Sequence, residues 1–285
     1  MAYLDLTPAL HDQLRTWLAE DLGRGDLTAP ALQGLSGRGH WLAKQDGVFC
    51  GGVLVEPLFR MLDPDLRVHL LVADGSPVRS GQRLLELEGS AAALVAGERT
   101  ALNLAMRLSG IATATAALVA QLAGTGVALA DTRKTTPGLR VLEKYAVRCG
   151  GGINHRLGLD DAAMLKENHL AWAGGVGPAI AAIRAASPWP ARVIVEAETA
   201  PEALAAVAAG ADGVLLDEFS PEALLQLVPQ LRQEAARLAR SLVLEASGVQ
   251  PEQLAAYAAT GIDLISTSAP ITRSAWLDLS MRFDA

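Results

Sequence analysis

Six basic side chains crowd one stretch of an otherwise acidic chain. Residues 132–159 hold Arg133, Lys134, Arg140, Lys144, Arg148 and Arg156 against a single acid, Glu143, for a local charge of +5. The full 285 residues carry −7, which leaves −12 on the remainder. A cationic island in an acidic protein focuses a small polyanion. The segment Asp131-Thr132-Arg133-Lys134-Thr135-Thr136-Pro137-Gly138 combines both kinds of anion receptor. An arginine forks onto a carboxylate or phosphate, whereas a lysine acts as a mobile point charge. Downstream, Gly150–Gly152 runs into Ile153-Asn154-His155-Arg156. Consecutive glycines permit positive φ and close backbone approach, although alone they suit a plain flexible loop equally well. Arg140 and Lys144 share a face of a helix over 137–149, which fits a solvated basic surface as readily as a ligand site.

Acids supply the complementary chemistry. Glu196 and Asp217 stand 21 residues apart at the ends of successive apolar runs. On adjacent parallel strands their carboxylates would lie close together and could take up Mg²⁺ with diphosphate oxygens, or each could pair with a neighbouring base. Lys166-Glu167-Asn168-His169 ends another such run, and a lysine in a buried mouth needs an acid from protein or substrate. Ala246-Ser247-Gly248 and Ser266-Thr267-Ser268 follow the last two runs, where hydroxyls and backbone N–H groups commonly cradle phosphate.

These residues require a scaffold that brings strand ends together. Apolar runs at 127–131, 162–166, 192–196, 213–217, 242–245 and 263–267 alternate with helical segments. Helix starts recur as Ala200-Pro201-Glu202, Ser220-Pro221-Glu222 and Gln250-Pro251-Glu252, with proline and glutamate in the first turn. Repeated strand–helix units predict a parallel sheet. The runs end in Asp131, Lys166, Glu196, Asp217, Glu245 and Thr267, and such a ring favours a barrel, whose C-terminal strand ends share one mouth, over an open sheet. Upstream, Leu10, Leu14, Trp17 and Leu18 predict a helix over 3–22; residues 36–90 read as short strands in a barrel-sandwich pattern, with no lysine at the turn to carry a lipoyl or biotinyl group. Residues 97–124 read as a helix bridging two domains.

Bulk properties narrow the class. Apolar residues make up 51% of the chain and aromatics only 4%, which suits closely packed α/β layers. A pI near 5.3 without interleaved aromatics argues against nucleic-acid binding. Cys50 and Cys149 form no Cys-x-x-Cys pair and read as reduced, buried thiols. The first residues carry acids where a secretory leader needs bases, and no uninterrupted apolar run reaches bilayer length. A soluble, cytoplasmic protein with no membrane partner is expected.

Six stretches resemble one family: Glu20–Thr28, Gly97–Thr115, Asp131–His169, Val195–Thr199, Leu215–Phe219 and Leu244–Gly248. Their sequences and order are similar to those of quinolinate phosphoribosyltransferases, the carboxylating nicotinate-nucleotide pyrophosphorylases of NAD biosynthesis. The resemblance implies an N-terminal α/β sandwich over 1–110, to which a tail at 271–285 returns, and an incomplete α/β barrel over 111–270. It implies quinolinate and phosphoribosyl pyrophosphate as substrates, Mg²⁺ as cofactor, and a homodimer, with further assembly open. Arg99 would reach across the dimer to quinolinate. Arg133, His155, Arg156 and Lys166 would line its pocket. Lys134 would sit between the two substrates, with Lys134, Lys166, Glu196 and Asp217 as the catalytic set. Glu196 and Asp217 would hold the metal and ribose hydroxyls, and Thr132, Ser247, Gly248, Thr267, Ser268 and Ala269 would complete the phosphoribosyl site.

The chain departs from the family pattern at the phosphate end. Val249 and Ser268 stand where glycines are usual, Glu218 replaces a common asparagine, and Thr272-Arg273 replace a threonine-histidine pair. The alternatives are a paralogue acting on another aromatic acid, a non-catalytic sugar-phosphate sensor and an RNA-binding surface. The intact 131–138 motif and Asn154-His155-Arg156 speak against the first, and the acid pair against the second.

Overall fold

Thr7 caps the first helix, α1 (Pro8–Leu22), by accepting the Leu10 N–H, and proline follows in the first turn. Leu10, Leu14 and Leu18, four residues apart, form its buried stripe. The helix thus begins five residues later than the hydrophobic spacing alone suggests. The computed structural model describes residues 2–284.

The chain divides into two compact units: Met1–Ala116 with Val141–Gly151 and Arg273–Ala285, and Ala117–Arg140 with Gly152–Thr272. In the first unit, β1 (Ser36–Ala43), β3 (Arg67–Leu70), β5 (Arg83–Ser90) and the last strand, β12 (Leu279–Asp284), form an antiparallel sheet in the order β12-β1-β5-β3. Short strands β2 (Gly47–Val48) and β4 (Pro77–Val78) pair separately, and α2 (Val55–Arg60) contributes the buried Val55, Leu58 and Phe59.

Helix α3 (Ala91–Gln121) starts directly where β5 ends, six residues before the expected start. Gly97 lies inside the helix, and a Cβ there would come within 2.6 Å of the Phe59 ring, so only glycine fits against that ring. By length and composition α3 could also cross a bilayer, although Glu98, Arg99 and Arg107 interrupt its apolar residues, and half of its most apolar window is buried in the protein, as in a core helix.

Helix α4 (Arg140–Cys149) belongs with the first unit from Val141 onward, whereas the sequence places the whole of it in the barrel. Glu143 is fully buried there and ion-paired with Arg107 of α3 at 2.7 Å, and the Tyr145 hydroxyl donates to Asp74 at 2.9 Å. Lys144 is also buried, so Arg140 and Lys144 do not form the solvated basic face that their spacing allows.

The second unit carries the parallel sheet. Strands β6 (Ala128–Ala130), β7 (Ala163–Leu165), β8 (Val193–Ala197), β9 (Gly213–Asp217), β10 (Val243–Ser247) and β11 (Leu264–Ser266) pair in the order β6-β11-β10-β9-β8-β7. Each strand neighbours its sequence successor except at one place, between β6 and β7. There Ile153 bridges to Ala130 instead, so the barrel is incomplete. Between the strands run α5 (Glu167–Trp172), α6 (Val176–Ala186), α7 (Ala200–Ala208), α8 (Pro221–Arg237), α9 (Leu254–Ala258) and α10 (Ala269–Thr272). Thr199 and Glu202 close a capping box on α7, and Ser220 caps α8. At Pro251 the chain makes a short 3₁₀ turn before α9.

Alternation along these strands sorts the side chains. Leu129, Leu165, Val193, Val195, Ala197, Val214, Leu216, Leu244, Ala246 and Ile265 pack into a core with α7 and α8 residues such as Ala203, Val207, Leu224 and Leu231. The opposite parity, including Met164, Glu196, Leu215, Asp217, Glu245, Ser247 and Ser266, lines a cavity.

Candidate active site

Period-two alternation places the chemistry at the strand ends. The cavity has a volume of about 370 Å³ and is lined by Thr132, Arg133 and Lys134, by His155, Arg156 and Lys166, and by the carboxylates Glu196, Asp217 and Glu245. Met164 and Leu215 give it an apolar wall, and Ser247 and Ser266 add hydroxyls. This volume suits a small ligand with a few well-placed polar contacts.

The 131–138 loop leaves β6 and is shaped by its own residues. Thr132 Oγ1 accepts the Lys134 N–H at 3.0 Å, and Arg133 O accepts the Thr135 N–H at 2.9 Å. Arg140 braces it by donating from Nε to Thr135 Oγ1 at 3.1 Å and from Nη1 to Leu157 O at 3.2 Å. One base of the cationic island is therefore spent on scaffolding. Arg156 donates to Ala162 O at 2.9 Å, yet still reaches the cavity. Burial, followed by repulsion from Arg133, lowers the Arg156 pKa from the ordinary arginine value, with Asp161 opposing. Two guanidiniums held so close favour an anion between them.

Across the cavity, Lys166 ion-pairs with Glu196. The lysine is the N-cap residue of α5, and its backbone N–H donates to His169 Nδ1 at 3.0 Å, which assigns His169 to helix capping. Glu196, Glu198 and Asp217 can each bring one carboxylate oxygen within 4.8 Å of the others. Hard oxygen donors at this separation fit a divalent cation such as Mg²⁺, and the carboxylate of Glu198 joins the expected pair.

The sequence expectations map unevenly onto this cavity. Thr132, Arg133, Lys134, His155, Arg156, Lys166, Glu196, Asp217 and Ser247 line it together. Gly248, Thr267, Ser268 and Ala269 follow immediately beyond β10 and β11. Arg99 stands exposed on α3, in the first unit. Gly248 has φ +75, a conformation that side chains rarely adopt. Ser268 keeps an ordinary backbone, and its carbonyl accepts the Ile271 and Thr272 N–H groups, so a side chain is tolerated there. Val249 is buried with the barrel core.

Sequence reasoning missed Glu245 and the role of Asp131. Glu245 was visible only as one polar strand end among six. In the structure it is 2% exposed, and its Oε2 lies 3.2 Å from His155 Nε2. Asp131, also 2% exposed, accepts from Asn154 Nδ2 at 2.7 Å and from the His155 N–H at 2.8 Å.

A six-stranded incomplete α/β barrel with cations and carboxylates converging at its strand ends defines a transferase-type site for a small anionic substrate. Two family models match, the "Quinolinate phosphoribosyl transferase, N-terminal domain" over residues 26–109 and the "C-terminal domain" over 111–282. The chain belongs to the quinolinate phosphoribosyl transferase family. It is 46% identical over 272 residues to a Synechocystis protein named probable nicotinate-nucleotide pyrophosphorylase [carboxylating], covering 94% of this chain and 90% of that one. A Bacillus subtilis protein of the same name is 40% identical over 270 residues, covering 94% and 91%. The solved structure of the nicotinate-nucleotide pyrophosphorylase from Francisella tularensis superposes with a TM-score of 0.90 at 35% identity over 98% of both chains.

Proposed function

We propose that this chain transfers the phosphoribosyl group of phosphoribosyl pyrophosphate to quinolinate, releasing pyrophosphate and CO₂ and giving nicotinate mononucleotide for NAD synthesis. The observation that carries this reading is the convergence of Arg133, Lys134, Arg156 and Lys166 on one cavity with an apolar wall. Quinolinate is a flat pyridine bearing two adjacent carboxylates, and it needs that combination. Arg133, Arg156 and Lys166 hold the carboxylates, with His155 beside them, while Met164 and Leu215 support the ring. Lys134 lies between quinolinate and the diphosphate, and neutralises the charge that develops on the departing pyrophosphate. Thr132, Ser247, Gly248, Thr267, Ser268 and Ala269 take the sugar phosphate and diphosphate groups.

Glu196 and Asp217 accept the ribose hydroxyls and, with Glu198, would hold Mg²⁺. The ion would supply charge neutralisation for the diphosphate. Held in line, the pyridine nitrogen attacks C1 of the ribose as the C1–O bond to pyrophosphate breaks. When the C2 carboxylate departs as CO₂ its bonding electron pair stays on C2, stabilised by the adjacent positive nitrogen, and that pair then takes up a proton. The protein's part is positioning and fixed charge. We further propose a cytoplasmic homodimer in which Arg99 of one subunit completes the quinolinate site of the other; its exposure on α3 supports this role.

An endpoint assay with quinolinate, phosphoribosyl pyrophosphate and Mg²⁺ tests the proposal, with nicotinate as the parallel substrate. Nicotinate mononucleotide and CO₂ from quinolinate alone are expected. Product from nicotinate, or from neither acid, would overturn the assignment.

A further inference from the structure

Two hydrogen bonds decide the chemistry of His155. Its Nδ1 accepts the backbone N–H of Arg156 at 2.7 Å, and an amide N–H only donates, so Nδ1 carries a lone pair. The ring proton therefore sits on Nε2, 3.2 Å from Glu245 Oε2. An imidazolium would need a second proton on Nδ1, in the place occupied by the Arg156 N–H. The partners thus assign a neutral imidazole in the Nε2–H form.

The surroundings hold that ring still. Ile153, two residues before, bridges to Ala130 of β6, and the His155 N–H is tied to Asp131 at 2.8 Å. Glu245 comes from β10, in register with Leu215 of the neighbouring strand, and both line the cavity. A carboxylate that receives a ring N–H fixes the orientation and tautomer of the histidine.

We infer that Glu245 is a positioning residue for the transferase reaction. By taking Nε2–H it presents His155 to the substrate as a neutral aromatic surface, not as a charge for a carboxylate. This rests on the quinolinate reading of the cavity. Arg133, Arg156 and Lys166 already exceed the two charges of quinolinate, whereas apolar surface is scarce, with Met164 and Leu215 its main source. Glu245 Oε1 is buried and has no hydrogen-bond partner among the described residues, so that wall of the cavity repels a carboxylate. The two acid groups of the substrate are thereby turned toward the arginines and lysines.

The test has two arms. In wild-type full-length protein labelled with ¹⁵N-histidine, measured at neutral pH and assigned with His155→Gln, one His155 ring nitrogen should resonate as protonated and the other as unprotonated. Both nitrogens protonated would overturn the inference. In steady-state kinetics, Glu245→Ala should raise the quinolinate KM about tenfold or more, as loss of a carboxylate behind a histidine does. The phosphoribosyl pyrophosphate KM should stay within about twofold, and Glu245→Gln, whose amide oxygen still accepts Nε2–H, should recover the quinolinate KM to within about threefold. Equal rises in both KM values, or a Gln variant as impaired as the Ala variant, would overturn it. Wild-type protein that makes no product from quinolinate would remove the functional reading instead, and the tautomer measurement would still decide the Glu245–His155 pairing on its own. The spectrum also stands if Glu245→Ala does not fold.

Discussion

Asp131, immediately after β6, receives the side-chain amide of Asn154 at 2.7 Å. Its other oxygen takes the N–H of His155, so one buried carboxylate sets the path of the chain that delivers His155 and Arg156 to the cavity. Asn154→Ala should cost about 1–3 kcal/mol of stability, because a hydrogen bond to the buried Asp131 carboxylate is lost. It should lower kcat/KM for quinolinate by about tenfold or more, because the ligand-facing residues lose their support. Urea unfolding and steady-state kinetics on the same preparation check both parts. A stability loss with unchanged kinetics would show that Asp131 and Asn154 serve folding alone.

The four cations of the cavity contribute unequally. Among the described residues the Arg133 side chain has no hydrogen-bond or ion-pair partner that would compete with substrate, while Lys166 is already paired with Glu196. Arg133→Ala and Lys166→Ala should each reduce quinolinate turnover by about a hundredfold or more, since preorganised charge is removed from the reacting centre. Circular dichroism should be unchanged, because neither side chain belongs to the core. Near-wild-type turnover in both variants would remove these residues from the substrate site.

Glu218 follows Asp217 with φ +56, one of two non-glycine residues with positive φ among those described. This conformation costs an ordinary residue about 1–2 kcal/mol, and asparagine tolerates it better. The family's usual asparagine at this position thus has a backbone explanation. Glu218→Asn should stabilise the protein by about 0.5–1 kcal/mol in chemical unfolding. It also removes a negative charge from a residue whose Cγ lies 3.6 Å from where a Cβ on Gly248 would stand, so the KM for phosphoribosyl pyrophosphate should fall. A rise in that KM would instead assign the Glu218 carboxylate a role in binding.

The proximity of Glu196, Glu198 and Asp217 leads to a metal prediction. Asp217→Asn should shift the Mg²⁺ dependence of turnover to higher concentration and lower kcat at saturating metal by about tenfold or more. Glu198→Gln, on an exposed side chain, should shift the Mg²⁺ curve less than Asp217→Asn. Direct titration with Mn²⁺ as a paramagnetic probe provides a readout independent of activity. Unchanged metal affinity in both variants would place the ion elsewhere.

Much of this protein was legible along the chain. The six parallel strands were marked by apolar runs, and α7 and α8 by proline and glutamate at their starts, because strand burial and helix capping are local demands. The strand-end rule selected Glu196, Asp217 and Lys166, and it also marked Asp131 and Glu245 without separating their roles. Those roles depend on partners 24 and 90 residues away, in His155 of the segment that bridges to β6. The need for glycine at position 97 of α3 depends on the Phe59 ring packed against it, which is distant in sequence.

The sequence by itself determined the family, the strand–helix alternation and the stock of cations and carboxylates. Tertiary structure decided which of them meet. A strand's alternation divides its residues into two sets, but only the curvature of the sheet turns Met164, Glu196, Leu215, Glu245 and Ser247 inward and Val195, Val214, Leu244 and Ala246 toward the helices. Six bases in one segment carry equal charge on paper. Folding spends Arg140 on two loops, buries Lys144 in the first unit and leaves Arg133, Lys134 and Arg156 at the cavity, because a charge acquires its function from the groups that packing sets beside it.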